Sequence, residues 1–185
     1  MKRVALVAAV VGTTVLAGGL LNVTPALGAP PTIEHFRDVG TDVDPDYCGT
    51  GQTVDIAFDI RGTDWTSADG ELFRSTAHGA VVFTNPANGR SVTNSFAGQL
   101  TDIITSGDPE GVHTDLITQK GLPEKLKLPH GRVLLRDAGI IAFAITFDGD
   151  EFISQEIVLI KGPHPEADSD FELFCEITTE ALGIS

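Results

Sequence analysis

Gln52 to Ile60, QTVDIAFDI, places Val54, Ile56, Phe58 and Ile60 at every second position, with Asp55, Ala57 and Asp59 between them. A period of two with β-branched and aromatic residues on one side is the pattern of a half-buried strand. It recurs in GELFRSTAHGAVVFT, SVTNSFAGQLTDIIT, VHTDLITQ (112–119) and FISQEIVLI (152–160). RVLLRDAGIIAFAITF (132–147) reads as two strands, or as one bent at Asp137-Ala138-Gly139. Turn signals separate these runs: RGTDWTSADG, NPANGR (85–90), SGDPEG (106–111) and DGDE (148–151). The prolines and glycines of KGLPEKLKLPHG (120–131) predict a loop. Asp168 or Ser169 is the expected cap of a short C-terminal helix running to Leu182, with Phe171, Phe174, Cys175, Thr178 and Leu182 on one side. Short strands joined by turns, with no room for long crossovers, predict an all-β antiparallel meander. Closure into a β-barrel, which abolishes free edges, is the expected architecture; a β-sandwich is the alternative.

The first residues do not fit this alternation. Lys2 and Arg3 precede an uncharged apolar run from Val4 to Leu21, and Ala26-Leu27-Gly28 forms a small-residue exit. That is the three-part pattern of a secretory signal peptide, cleaved after Gly28. An uncleaved anchor is the competing reading, since the run is long enough to span a bilayer; its glycines and threonines argue against it. The expected organisation is a signal peptide over 1–28, an extended acidic lead-in over 29–47 and a single β-barrel-like domain over 48–185. The expected location is extracellular, with no membrane span in the mature chain.

Charge and cysteines then narrow the picture. The chain has 12 basic and 26 acidic residues; without Lys2 and Arg3 the balance is 10 against 26, a formal −16. Such a surface repels phosphate backbones, which excludes nucleic acid as a natural partner, and attracts cations. The two cysteines, Cys48 and Cys175, are an even pair in a chain bound for an oxidising compartment and predict a disulfide.

Candidate chemistry is sparse. Asp42, Asp44 and Asp46 begin like a calcium loop, but the sixth position is Tyr47 instead of glycine and the twelfth is Thr53 instead of glutamate. A loose oxygen cage for calcium is what remains, and no other cofactor is indicated. The five histidines show none of the paired spacings that set two ring nitrogens on one metal. His164, held between Pro163 and Pro165, marks a rigid candidate functional loop, with a structural hydrogen bond as the simpler role. No G-x-S-x-G elbow is present, and no catalytic residue is assigned. In the stretch Ile141–Phe147, Ala142, Ala144 and Thr146 form a small-residue face opposite a bulky one. Lining a lumen, they would leave volume for an apolar ligand; outside, they would sit beneath a covering element. A barrel filled by its own side chains is the third arrangement.

Several short motifs follow one another along the chain: YCG at Tyr47–Gly49, FTNPANG at Phe83–Gly89, DAG at Asp137–Gly139, GPHP at Gly162–Pro165, and the late Cys175. Together they resemble a group of small secreted proteins common in actinobacteria, over most of residues 47–175. The resemblance implies a β-rich, barrel-like exported domain and carries over no activity and no catalytic residue. The expected function is a non-catalytic binding or surface-interaction module, for a small apolar molecule or another extracellular protein. The alternative is a small extracellular enzyme of cyclase or hydrolase type with its site in the barrel mouth.

Overall fold

Seven strands and two C-terminal helices make up the computed structural model, which describes residues 30–169 and 172–184. The expected signal peptide, 1–28, lies outside the described residues. The strands are β1 (Thr32–Asp44), β2 (Val54–Thr66), β3 (Leu72–Thr84), β4 (Ser91–Gly107), β5 (Val112–Lys127), β6 (Val133–Asp148) and β7 (Glu151–Lys161). A 3-10 turn at Tyr47–Gly49 follows β1, and helices α1 (Pro165–Asp168) and α2 (Leu173–Leu182) follow β7. Each strand pairs antiparallel with its sequence neighbour, giving the order β1-β2-β3-β4-β5-β6-β7.

The expected meander is present; the expected barrel closure is not. β1 pairs only with β2 and β7 only with β6, so the sheet is open between them. Two features blunt these edges. Register shifts at Ala142/Phe143 and Thr146/Phe147 bend β7, and β1 carries Glu34, Asp38, Asp42 and Asp44 on one side.

The open sheet is nevertheless strongly curled. Val54 of β2, Val92 of β4, Leu126 of β5 and Leu135 of β6 share one buried cluster. In a flat sheet β2 and β6 lie four strand spacings apart, about 19 Å. Curvature, together with Tyr47, Leu182 and Ile184 of the same cluster, brings them together. Glycine supplies part of it: Gly139 has φ 129°, and a Cβ there would run into the Lys161 carbonyl across the sheet. Gly121 (φ 115°) likewise lies against the Ala97 carbonyl, 2.6 Å from its would-be Cβ. Such glycines and bulges are how a sheet bends sharply.

Helix α2 plugs one end of the trough. Leu182, fully buried, joins Tyr47, Val54 and Val92 there, and Phe83 packs edge-on against Phe174 at 5.7 Å. The Cys48–Cys175 disulfide, Cα–Cα 5.7 Å, ties the turn after β1 to α2. Tyr47 Oη donates to Thr178 Oγ1 (3.0 Å), and Thr178 in turn donates to the Phe174 carbonyl (2.7 Å). At the other end of the helix Gly183 adopts the left-handed conformation, φ 68°. The predicted Asn-Pro/Asn-Gly turn has a second task here. Asn85 Nδ2 and Asn88 Nδ2 both donate to the Leu182 carbonyl (3.1 and 2.9 Å), and Arg90 reaches the Glu180 carbonyl. These donors satisfy carbonyls that a helix end leaves free.

Three local expectations change. The lead-in over 29–47 is extended but mostly strand, since Thr32–Asp44 is β1. The predicted loop over 120–131 is strand through Lys127, because Leu122 and Pro123 sit in a register shift between Gly121 and Glu124. A bulge accommodates a residue without a backbone N–H. The C-terminal helix starts at Leu173, not after Asp168 or Ser169, with the single turn α1 preceding it.

Candidate functional site

The register sorts side chains onto two faces. Facing the inside of the curl are Val54, Ile56, Phe58 and Ile60 from β2, with their cross-strand partners in the other strands. Eight of the chain's ten phenylalanines lie on this face: Phe36, Phe58, Phe73, Phe83, Phe96, Phe143, Phe147 and Phe152. Most are only half-buried. The helices pack at one end, and no second layer covers the rest of the face among the described residues.

Charge divides just as sharply. Nine carboxylates point inward: Glu34, Asp38, Asp42, Asp44, Asp64, Asp102, Asp115, Glu124 and Asp137. No strand lysine or arginine does. Arg37, Arg61, Arg74, Lys120, Lys125, Lys127, Arg136 and Lys161 all occupy outward positions. On that outer face Arg37 grips Asp59 through two hydrogen bonds (3.2 and 2.9 Å) and Arg61 approaches the same carboxylate at 3.8 Å. A shallow depression there is lined by Arg37, Arg61, Thr63, Thr76 and His78 beside Gly62, Ala77 and Gly98.

Two inward polar clusters stand out. The first lies away from the helical plug. His113 and Asp115 on β5 are both nine-tenths buried, with Nε2 3.8 Å from Oδ1. The His113 ring stacks on Phe147 at 5.6 Å, and its Nδ1 is 3.0 Å from the Gly111 carbonyl. A carbonyl only accepts, so Nδ1 carries the proton and Nε2 faces Asp115. Asp102, across on β4, is pushed up to about 6 by burial first and by Asp115 second, with His113 opposing. Oδ1 of Asp64, of Asp102 and of Asp115 is buried without a hydrogen-bond partner. Unpaired buried carboxylate oxygens are costly.

The second cluster lies beneath α1. Glu124, Asp137, His164 and Glu166 are all buried, with His164 Nδ1 4.0 Å from Asp137 Oδ2. Asn94 Nδ2 donates to Glu124 Oε1 (3.0 Å), and Asn94 Oδ1 accepts from the Lys125 backbone (3.2 Å). Burial, then the charges of Glu166 and Asp137, push Glu124 up to about 8, against the pull of the Asn94 bond. Burial also raises Glu166.

The residues singled out from sequence fare differently. Cys48 and Cys175 are bonded. His164 joins the second cluster, brought against Asp137 by the GPHP loop. Asp42, Asp44 and Asp46 each bind backbone instead: Asp42 Oδ1 accepts from Val43 N (2.7 Å), Asp44 Oδ1 from Asp46 N (2.9 Å) and Asp46 Oδ1 from Gly51 N (2.6 Å). Among the described residues no group of three His, Cys, Asp or Glu side chains is placed to hold a metal ion. Ala142, Ala144 and Thr146 pair with Thr118, Leu116 and Thr114 on the outward face; the inward side of β6 is the bulky one, Ile141, Phe143, Ile145 and Phe147. Asp64, Asp102, Asp115, Glu124 and Asp137 belong to no motif in the sequence, although Asp102 stands between Leu100 and Ile104 in the apolar phase of its strand. That misfit is a readable signal. Searches against protein-family models, curated proteins and solved structures return no match.

Proposed function

We propose that the protein is a secreted, non-catalytic binding module that seats a small apolar molecule on the concave face of its open sheet. One observation carries this reading: away from the helical plug, Phe36, Phe58, Phe73, Phe96, Phe147 and Phe152 share that face, half-buried except for the more exposed Phe152, with no second layer over that part of the sheet among the described residues. A contiguous apolar surface left partly in water is the physical mark of a binding surface. The plug of α2 and its disulfide stiffen one end, so the face is formed before a ligand arrives. Native mass spectrometry of protein purified from its host without organic solvent is expected to show a mass above that of the polypeptide. A bare polypeptide mass, together with no uptake of an apolar fluorescent probe, overturns the proposal.

A second reading rests on the first cluster. An imidazole with one nitrogen fixed by a carbonyl, beside Asp115 and an Asp102 whose carboxyl burial pushes up to about 6, is a set suited to moving a proton. Under this reading the protein is a small extracellular enzyme acting on its apolar guest. Recovery of the bound compound unchanged after long incubation removes it; conversion abolished by His113→Gln supports it.

A further inference from the structure

We infer that the molecule taken by the concave face is an organic cation: an apolar body bearing a protonated amine or quaternary ammonium. The inference rests on the binding role proposed above and adds the ligand's charge. The face has two properties at once. It is aromatic, and it is one-signed, with nine inward carboxylates and no inward strand lysine or arginine. An apolar ligand alone explains the phenylalanines but not why every strand cation stands on the other face. An inorganic cation alone explains the carboxylates but not the phenylalanines, and no metal-holding group converges among the described residues.

A cation on an apolar body meets both requirements. Its body covers half-buried rings, and its charge is favoured over the faces of the same rings. Around Asp102 the unmet demand is local. Asp102 and Asp115 each keep one buried oxygen without a hydrogen-bond donor, as does Asp64 elsewhere on the same face. Facing Asp102 are Asp115 and His113 from β5, and Ser75 and Phe73 from β3. A positive head group placed there supplies the charge that this end of the face lacks, as an opposite charge does for a buried carboxylate.

Calorimetric titration of the disulfide-intact secreted protein with three ten-carbon probes below their micelle concentrations tests this: decyltrimethylammonium, decanol and decanoate. Decyltrimethylammonium is expected to bind about tenfold or more tighter than decanol, with decanoate weakest. The preference is expected to shrink between pH 7.5 and pH 4.5, as Asp102 takes up a proton, and to shrink severalfold in Asp102→Asn/Asp115→Asn with decanol binding unchanged. Asp55→Asn, on the outward face, is expected to leave all three affinities alone. If the double variant fails to fold, Glu34→Gln/Asp38→Asn, at exposed inward positions, reads the same preference. Equal binding of decanol and the cation leaves the apolar-binding role standing and overturns the inference, as does tightest binding of decanoate. Displacement of the cation by millimolar calcium overturns it in favour of an inorganic ion. Binding of none of the three removes both the role and the inference.

Discussion

Glu124 offers the sharpest test of the buried cluster under the helical cap. Its carboxyl is 5 % exposed and is pushed from 4.5 to about 8. The folded chain therefore holds a proton there that the unfolded chain has already released across the whole window from 4.5 to 8. Stability from this site is complete below pH 4.5 and is lost as pH rises through the window, at about 1.4 kcal/mol per unit. Between pH 6 and pH 8 the loss comes to about 2 kcal/mol, with the upper end of the titration rounding it off. Glu124→Gln removes the titration while keeping an oxygen to accept from Asn94 and an amide to donate where the acid's O–H did. The variant is expected to gain about 2 kcal/mol on the parent between those two pH values, or about 4–8 °C in melting temperature. Thermal and urea unfolding of both proteins at pH 6, 7 and 8 measures it, with titrating groups remote from Glu124 cancelling in the difference. Parallel pH profiles, or a variant that loses ground as pH rises, refute the burial of Glu124 beside the charges of Glu166 and Asp137.

Four further outcomes follow from the same coordinates. Tyr47 is the chain's one tyrosine, so absorbance at 295 nm reports it alone; burial pushes it up to about 12, and alkaline titration of the folded protein is expected to show ionisation there instead of near 10. Tyr47→Phe, which loses the bond to Thr178, is expected to cost about 1 kcal/mol in urea unfolding. Replacing both cysteines by serine opens a loop of 127 residues and is expected to cost about 4 kcal/mol, read as a lowered urea midpoint. Gly139→Ala puts a Cβ at φ 129° into the Lys161 carbonyl and is expected to cost about 2 kcal/mol or more; an unchanged midpoint would show that β6 does not need its bend.

Much of the molecule is legible in the chain because its signals are local. Alternation from Val54 to Ile60 needs only the pleat to become a strand, and Asn-Pro with Asn-Gly needs only backbone sterics to become a turn. The disulfide follows from a count of two cysteines in a chain whose first residues read as an export signal. Pro123 misled for the opposite reason: a proline denies a ladder bond wherever the ladder needs one, and only the register of β4, β5 and β6 shows that this position falls in a bulge. Tertiary structure alone decided which way each strand faces. A period of two defines two faces without saying which is inside, so Ala142, Ala144 and Thr146 fitted a lumen or an outward face until pairing placed them outward. The same ambiguity hid the gathering of Asp102, Asp115 and His113, which come from two strands. Whether the two edges meet was equally beyond the pattern, because closure depends on twist and bend accumulated over seven strands, and no single stretch of sequence encodes that sum.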